Sequence, residues 1–385
     1  MDFVFTEEQQ MIRDTAESFL AEVSTSEAVR KAMVSSVGFD EALWQKICAD
    51  MYWQAIHIPE EFGGMGLGYV ELTAMMEQMG RYLLCAPFYS TVCLGVNTLL
   101  LAANEEQKAE YLAAICEGRL TATLAYCGVR GGRNAEDISA TYSQQGDDFV
   151  LEGECGFVVD GLTAGLLLVA AREKGSSGES GISLFAVPAD TAGVSRSNLP
   201  VLDQTRKMAS VRLESVKLAQ ANLLGSAGQA WPVLDKVLDL ATIALAAEQV
   251  GGSQQLLDSA VAYSKERVQF NRPIASFQAI KHKAADMMLR VEAGRSAVYY
   301  AACVADESLQ GGELAGELKE AASIAKAYCS DAYFKNAGEA MQIHGGVGFT
   351  WEYDVHLYFK RAKASEHMLG NAAYHRERVA QVILD

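Results

Sequence analysis

The chain has 385 residues, half of them apolar and 21% charged, with a formal net charge of −17. That length exceeds what one hydrophobic core usually serves, so two or three domains are expected, and the composition excludes a disordered chain. The acidity argues against nucleic acid and anionic membrane surfaces as partners, and no apolar run is long enough to span a bilayer.

The eight cysteines include no Cys-x-x-Cys pair, which argues against a zinc site and a disulfide framework, so no metal is expected. The opening Met1-Asp2-Phe3-Val4-Phe5 has no basic stretch leading into an apolar one, the pattern of a secretory signal. Together these point to a reducing, cytoplasmic setting. Residues 1–118 are expected as an N-terminal helical domain. Thr6-Glu7-Glu8-Gln9 is a capping-box pattern, and Met11, Ile12, Ala16, Phe19 and Leu20 follow at helical spacing. Pro59 and the glycines from Gly63 to Gly68 interrupt the helices. This cluster is not Gly-x-Gly-x-x-Gly and follows no strand, so a dinucleotide-binding turn is excluded. Helix is expected again over 70–79 and 105–115.

The pattern changes near Leu120. Residues 119–227 carry short β-rich runs, with a hairpin turn at 144–148 and a flexible loop at 174–181, and predict a small β-barrel or sandwich. From Trp231 the helical period returns and persists to the end, and residues 228–385 are expected as a helical bundle for binding and oligomerisation. Four long helices are expected, over 241–263, 277–304, 313–344 and 362–384. The first two are separated by Arg267-Val268-Gln269-Phe270-Asn271-Arg272-Pro273-Ile274-Ala275-Ser276-Phe277-Gln278, whose proline breaks a helix. The break gathers a guanidinium, aromatic rings and an amide at a bend between helices, a chemical set suited to a phosphate and a flat heterocycle. A plain helix–helix turn is the structural alternative.

That stretch resembles the flavin-contacting turn of acyl-CoA dehydrogenases. Two further stretches, Ile58-Pro59-Glu60-Glu61-Phe62-Gly63-Gly64-Met65-Gly66 and Gln342-Ile343-His344-Gly345-Gly346-Val347-Gly348-Phe349-Thr350, resemble the same family in the same order. Where the family usually has glycine after the phenylalanine, this chain has Asn271, which also reaches positive φ. The resemblance implies an α+β multidomain fold: an N-terminal α-helical domain, a middle β-domain and a C-terminal four-helix bundle. It also implies FAD as cofactor and α,β-dehydrogenation of an acyl-CoA thioester. A carboxylate removes the α proton and flavin accepts the β hydride. The implied FAD contacts are Arg267, Gln269, Phe270, Phe277, Gln278, Gln342, Ile343, Gly345 and Gly346.

The catalytic base departs from the family. Aligned from Lys360-Arg361-Ala362-Lys363, the usual glutamate falls on Leu369, and the alternative helix position falls on Ala241. Neither side chain accepts a proton. Glu248, two helical turns past Ala241, is either a helix carboxylate paired with a basic neighbour or a relocated base, and Glu366 is a weaker candidate. The β-domain departs too. Val129-Arg130-Gly131-Gly132-Arg133-Asn134-Ala135-Glu136 stands where relatives place a threonine facing the flavin. Val159 stands where they place a threonine bonding flavin N5, while Phe157 keeps an aromatic wall. His344 is read as structural, and Met51, Met65, Met75, Met76 and Met79 as packing residues.

The residues that a subunit uses for its own flavin ring are therefore altered, while those that serve a neighbour's flavin are intact. The chain resembles the non-catalytic subunit of heterotetrameric acyl-CoA dehydrogenases that degrade steroid side chains. This implies a homologous partner carrying the catalytic glutamate, an acyl-CoA substrate and electron-transfer flavoprotein as acceptor. The alternatives are a self-sufficient homotetramer using Glu248 and a redox-inactive acyl-CoA-binding protein.

Overall fold

The computed structural model describes residues 5–384; Met1–Val4, which open the N-terminal reading, and Asp385 lie outside the described residues. Helix α1 (Glu7–Val23) begins with the expected capping box: Gln9 N–H donates to Thr6 Oγ1 at 3.2 Å, and Thr6 N–H donates to Gln9 Oε1 at 3.0 Å. Then come α2 (Ser26–Val34), α3 (Glu41–Lys46), whose first amides are capped by Asp40, and α4 (Tyr69–Arg81). Pro59 and its glycines form short turns between α3 and α4. A π-helical segment (Tyr89–Val96) leads into α5 (Asn97–Ala102), followed by α6 (Glu105–Cys116).

Eight strands then form one sheet: β1 (Ala122–Ala125), β2 (Thr141–Gln145), β3 (Asp148–Val159), β4 (Leu166–Glu173), β5 (Ile182–Pro188), β6 (Val194–Leu199), β7 (Met208–Leu218) and β8 (Leu223–Leu224). Their order is β6-β7-β3-β2-β4-β5-β8, with β1 parallel to β4. The expected hairpin joins β2 to β3 through Gly146, at φ 66, and the expected 174–181 loop joins antiparallel β4 and β5. Tyr142, Phe149 and Phe185 meet edge-to-face in the sheet's core at centroid separations of 5.8, 5.3 and 5.2 Å. Each such pair adds about 0.5–1.5 kcal/mol beyond its buried area.

Helix α7 (Trp231–Glu266) extends the expected 241–263 helix back to Trp231, where the helical period returns. A two-stranded hairpin, β9 (Val268–Gln269) and β10 (Arg272–Pro273), separates it from α8 (Gln278–Gln310), where the sequence predicts only a bend. After α9 (Leu318–His344) the expected last helix is two helices, α10 (Val355–His367) and α11 (Ala372–Leu384). They are parted at Leu369 and Gly370, which take φ 60 and φ 96.

The chain forms two compact units. One holds the chain up to Lys31, Gly68–Leu84 and the residues from Thr242 on; the other holds Ala32–Leu67 and Cys85–Ala241. In the first, two glycines let α4 and α7 pack backbone to backbone. A Cβ at Gly80 would fall 2.0 Å from the Glu248 carbonyl oxygen, and one at Gly251 would fall 1.7 Å from that of Glu77. Asp306 of α8 caps α4 from outside, accepting from Tyr69 N–H at 2.5 Å and Val70 N–H at 3.4 Å. Met75, Met76 and Met79 of α4 pack in the core, whereas Met65 is 38% exposed. Among the described residues no helix is long and apolar enough to cross a membrane.

Candidate functional site

The 267–278 stretch is built around its hairpin. Phe270 and Asn271 fill the two-residue turn at φ 53 and φ 60, both positive as in the turns that match strand twist, so Asn271 takes the conformation expected of it. Ile274 N–H donates to the Arg267 carbonyl at 2.8 Å and closes the loop. The Arg272 guanidinium lies over the Phe277 ring, 4.1 Å from its centroid, and Phe270 meets that ring edge-on at 6.1 Å. Phe270 is 86% exposed, and Arg267, Gln269 and Gln278 are exposed beside it. Among the described residues no carboxylate pairs with Arg267. The Phe270 ring and the Arg267 guanidinium are thus both accessible to a ligand.

The second stretch closes α9. Ile343 is buried and anchors the turn, while Gln342 is exposed. Gly345 ends the helix at φ 64 and ψ −141, a conformation open essentially to glycine. Nothing lies within 4 Å of where a Cβ would project from Gly345 or Gly346, so this backbone borders open space.

His344 joins the two stretches. Its Nδ1–H donates to the Ala340 carbonyl at 2.8 Å, and its ring stacks on Tyr263 at 4.4 Å. The Tyr263 carbonyl in turn accepts Arg267 N–H at 2.9 Å. Burial lowers the His344 pKa, which favours the neutral ring and a structural role. Tyr263 was not singled out from sequence, although it lies one turn before Arg267. The cluster so assembled offers a free guanidinium, exposed glycine backbone and aromatic faces. These fit the diphosphate and flat rings of FAD.

The family's base positions are differently furnished. Leu369 sits buried in the left-handed turn after α10, and its carbonyl accepts from His375 Nε2–H at 2.9 Å. Holding a leucine in this conformation costs about 1–2 kcal/mol. Below it, the buried Lys326 Nζ donates to the carbonyls of Ser365 and Glu366 at 2.9 and 3.1 Å and to Ser330 Oγ at 2.8 Å. This places an amine at the helix C-terminus, where cations are favoured, though burial pulls its pKa down to about 7. Gln249 bridges Ser330 and Ser365, each at 3.1 Å. These bonds fix the backbone of the turn that holds Leu369.

Glu248, 4% exposed, is paired at 2.9 Å with the Arg361 guanidinium, 2% exposed. An adjacent guanidinium stabilises the carboxylate anion. Glu366 pairs with Lys363 at 2.9 Å. In the other unit, Ala241 is fully buried and its carbonyl accepts from Tyr89 Oη–H at 2.9 Å. Val159 is buried, and Thr123 Oγ1–H donates to its carbonyl at 2.6 Å. Val129 is exposed, and Phe157 is half-exposed at φ 53. No side-chain donor stands at Val129 or Val159 to pair with a flavin ring. Sequence reasoning missed Arg361 and Arg133 as buried charges.

Residues 6–119 match the N-terminal domain and residues 228–384 the C-terminal domain of acyl-CoA dehydrogenases. The chain is 31% identical over 365 residues to acyl-CoA dehydrogenase IpdE2 of Mycolicibacterium smegmatis, covering 95% of each. Among solved structures it is similar to the ChsE4–ChsE5 complex of Mycobacterium tuberculosis, with a TM-score of 0.89, 26% identity, and 100% and 99% of the two chains covered. It is also similar to a Tcur3481–Tcur3483 steroid ACAD variant, with a TM-score of 0.85, 28% identity and 98% of each chain covered.

Proposed function

This chain belongs to the acyl-CoA dehydrogenase family, FAD-dependent oxidoreductases acting on acyl-CoA, and from that premise we propose that it is a supporting subunit. It completes the FAD site of a homologous partner that carries the catalytic glutamate, in a heterotetramer with two copies of each subunit. The observation that carries this reading is Leu369. On this reading the turn at Leu369, pinned by His375 and Lys326, corresponds to the one that presents the base in relatives, and its side chain cannot take a proton.

Bound FAD supplies the hydride acceptor of the α,β-dehydrogenation. In this chain, Arg267 would hold the diphosphate through a charge-assisted bond. The open backbone at Gly345 and Gly346, with Gln342 beside it, would receive the adenosine end, and Phe270 and Phe277 would shield it from water. Gln269, Gln278 and Ile343 complete the surround. The partner's base removes the α proton. Two solved neighbours are named for two components each, and one of these is called a steroid ACAD. These support a two-component assembly and an acyl group as large as a steroid side chain. Electron-transfer flavoprotein is the acceptor we assign, in the cytoplasm.

The test is turnover by the chain purified alone. Supplied with FAD and an artificial acceptor, it should oxidise no short, long or steroid-like thioester, and adding the partner should restore activity. Turnover by the lone chain that Glu248→Gln abolishes would instead establish a self-sufficient homotetramer. An assembly that stays colourless with FAD would leave only thioester binding.

A further inference from the structure

The 129–136 loop, which the family likeness sets against a flavin ring, carries a buried guanidinium. The Arg133 side chain is 2% exposed, and its Nη1 lies 2.9 Å from Asp235 Oδ1 while its Nη2 bonds Asp239 Oδ1. Asp235 and Asp239 lie one turn apart on α7, so both carboxylates converge on one guanidinium. The Asp239 side chain is 4% exposed.

The rest of the loop is bonded as closely. Asp137 accepts Asn134 N–H on its carboxylate and Gly128 N–H on its carbonyl, both at 2.8 Å. Arg172 Nη2–H donates to the Ala135 carbonyl at 2.6 Å. Gly132 has φ 117, and a Cβ there would strike the Asp137 carboxylate at 2.2 Å. On the sheet side Gly156 N–H donates to the Cys127 carbonyl at 3.0 Å, and a Cβ at Gly156 would fall 2.8 Å from Val129 Cα. These bonds run to the sheet on one side and to α7 on the other.

We infer that this loop is a fixed strut between the sheet and the first turns of α7, locked by Arg133 on Asp235 and Asp239, and not a flavin cradle. The inference rests on the supporting-subunit reading, in which this chain's own ring contacts are dispensable. A buried charge is retained only when it is paired, and removing Arg133 takes the guanidinium from between the buried Asp239 and the partly exposed Asp235. Arg133 is thus a positioning residue: it supplies the linkage between sheet and helix that a small residue at this position could not.

The experiment compares Arg133→Gln with the charge-free triple variant Arg133→Gln/Asp235→Asn/Asp239→Asn, each in the assembled heterotetramer. Arg133→Gln should speed amide exchange over 128–137 about tenfold or more, as local opening becomes easier. It should also lower the melting temperature and leave flavin per complex unchanged. The triple variant should recover the melting temperature, because no buried carboxylate is left uncompensated, while exchange stays fast. If Arg133→Gln does not fold, the triple variant supplies the exchange and flavin readouts. Unchanged exchange in the loop overturns the strut. Loss of flavin in either variant, with Arg267→Ala also stripping flavin, overturns the strut and spares the supporting-subunit reading. Turnover by the lone wild-type chain overturns that reading and leaves the exchange result to judge the strut.

Discussion

Glu248→Gln separates a structural carboxylate from a relocated base. The Glu248–Arg361 pair is 2.9 Å long, with side chains 5% and 2% exposed. The Glu248 carbonyl packs close to Gly80 of α4, where an added Cβ would fall 2.0 Å from it. At an effective dielectric near 20, two unit charges about 4 Å apart attract by about 4 kcal/mol. The desolvation cost of two buried ions cancels much of that gain, so the pair adds little net stability. Breaking it is another matter. Glutamine takes the Glu248 charge away from the buried Arg361 guanidinium, and breaking such a pair costs up to about 3–5 kcal/mol. The assay is the urea midpoint of the purified chain, read beside turnover of the assembled heterotetramer. Glu248→Gln and Arg361→Met should each lower the midpoint, and Glu248→Met/Arg361→Met should recover most of the loss. Turnover of the folded complex should survive all three. An unchanged midpoint with abolished turnover in Glu248→Gln would refute this reasoning and make Glu248 the base.

Arg267→Ala should strip FAD from the complex: a lost charge-assisted bond costs about 1.5–3 kcal/mol, roughly ten- to a hundredfold in affinity. Gln342→Ala should weaken binding less, since a neutral amide makes the weaker bond; both are read as flavin retained through gel filtration, and equal retention in Arg267→Ala and wild type would reverse the assignment of roles. Leu369→Glu should give no measurable dehydrogenase activity in the lone chain, because Val129 and Val159 still offer the ring no donors and catalytic groups are strongly non-additive. Turnover in that single variant would show the ring already seated. Burial raises the Asp306 carboxyl from its ordinary 3.8 to about 6. The folded state therefore holds this proton more tightly, and the resulting stability is full below about pH 4 and lost as pH rises through about 6. Asp306→Asn keeps an acceptor for the α4 amides and should flatten that part of the stability curve; an unaltered slope between those pH values would count against it.

Much of the fold was legible because it depends on neighbours in sequence. The Thr6 capping box closes over three residues, and the 144–148 hairpin needs one glycine at positive φ. The break between α10 and α11 was missed for the opposite reason. Leu369 is a good helix former, and it adopts φ 60 where His375 bonds its carbonyl and Lys326, on another helix, holds the last carbonyls of α10. The hairpin at 268–273 was missed because Phe270 disfavours the left-handed turn that Asn271 accepts readily.

By itself the sequence determined the family, the helical and β-rich segments, and the absence of a proton acceptor at Leu369 and Ala241. These are questions of residue type and spacing, which the chain carries along its length. Only the tertiary structure decided what the charges do. Glu248 and Arg361 are 113 residues apart, and Arg133 and Asp239 are 106 apart, yet each pair shares a buried contact. A carboxylate reads alike in sequence whether it is a base or half of an ion pair. Its role depends on which guanidinium the fold brings beside it and on how much water is left between them.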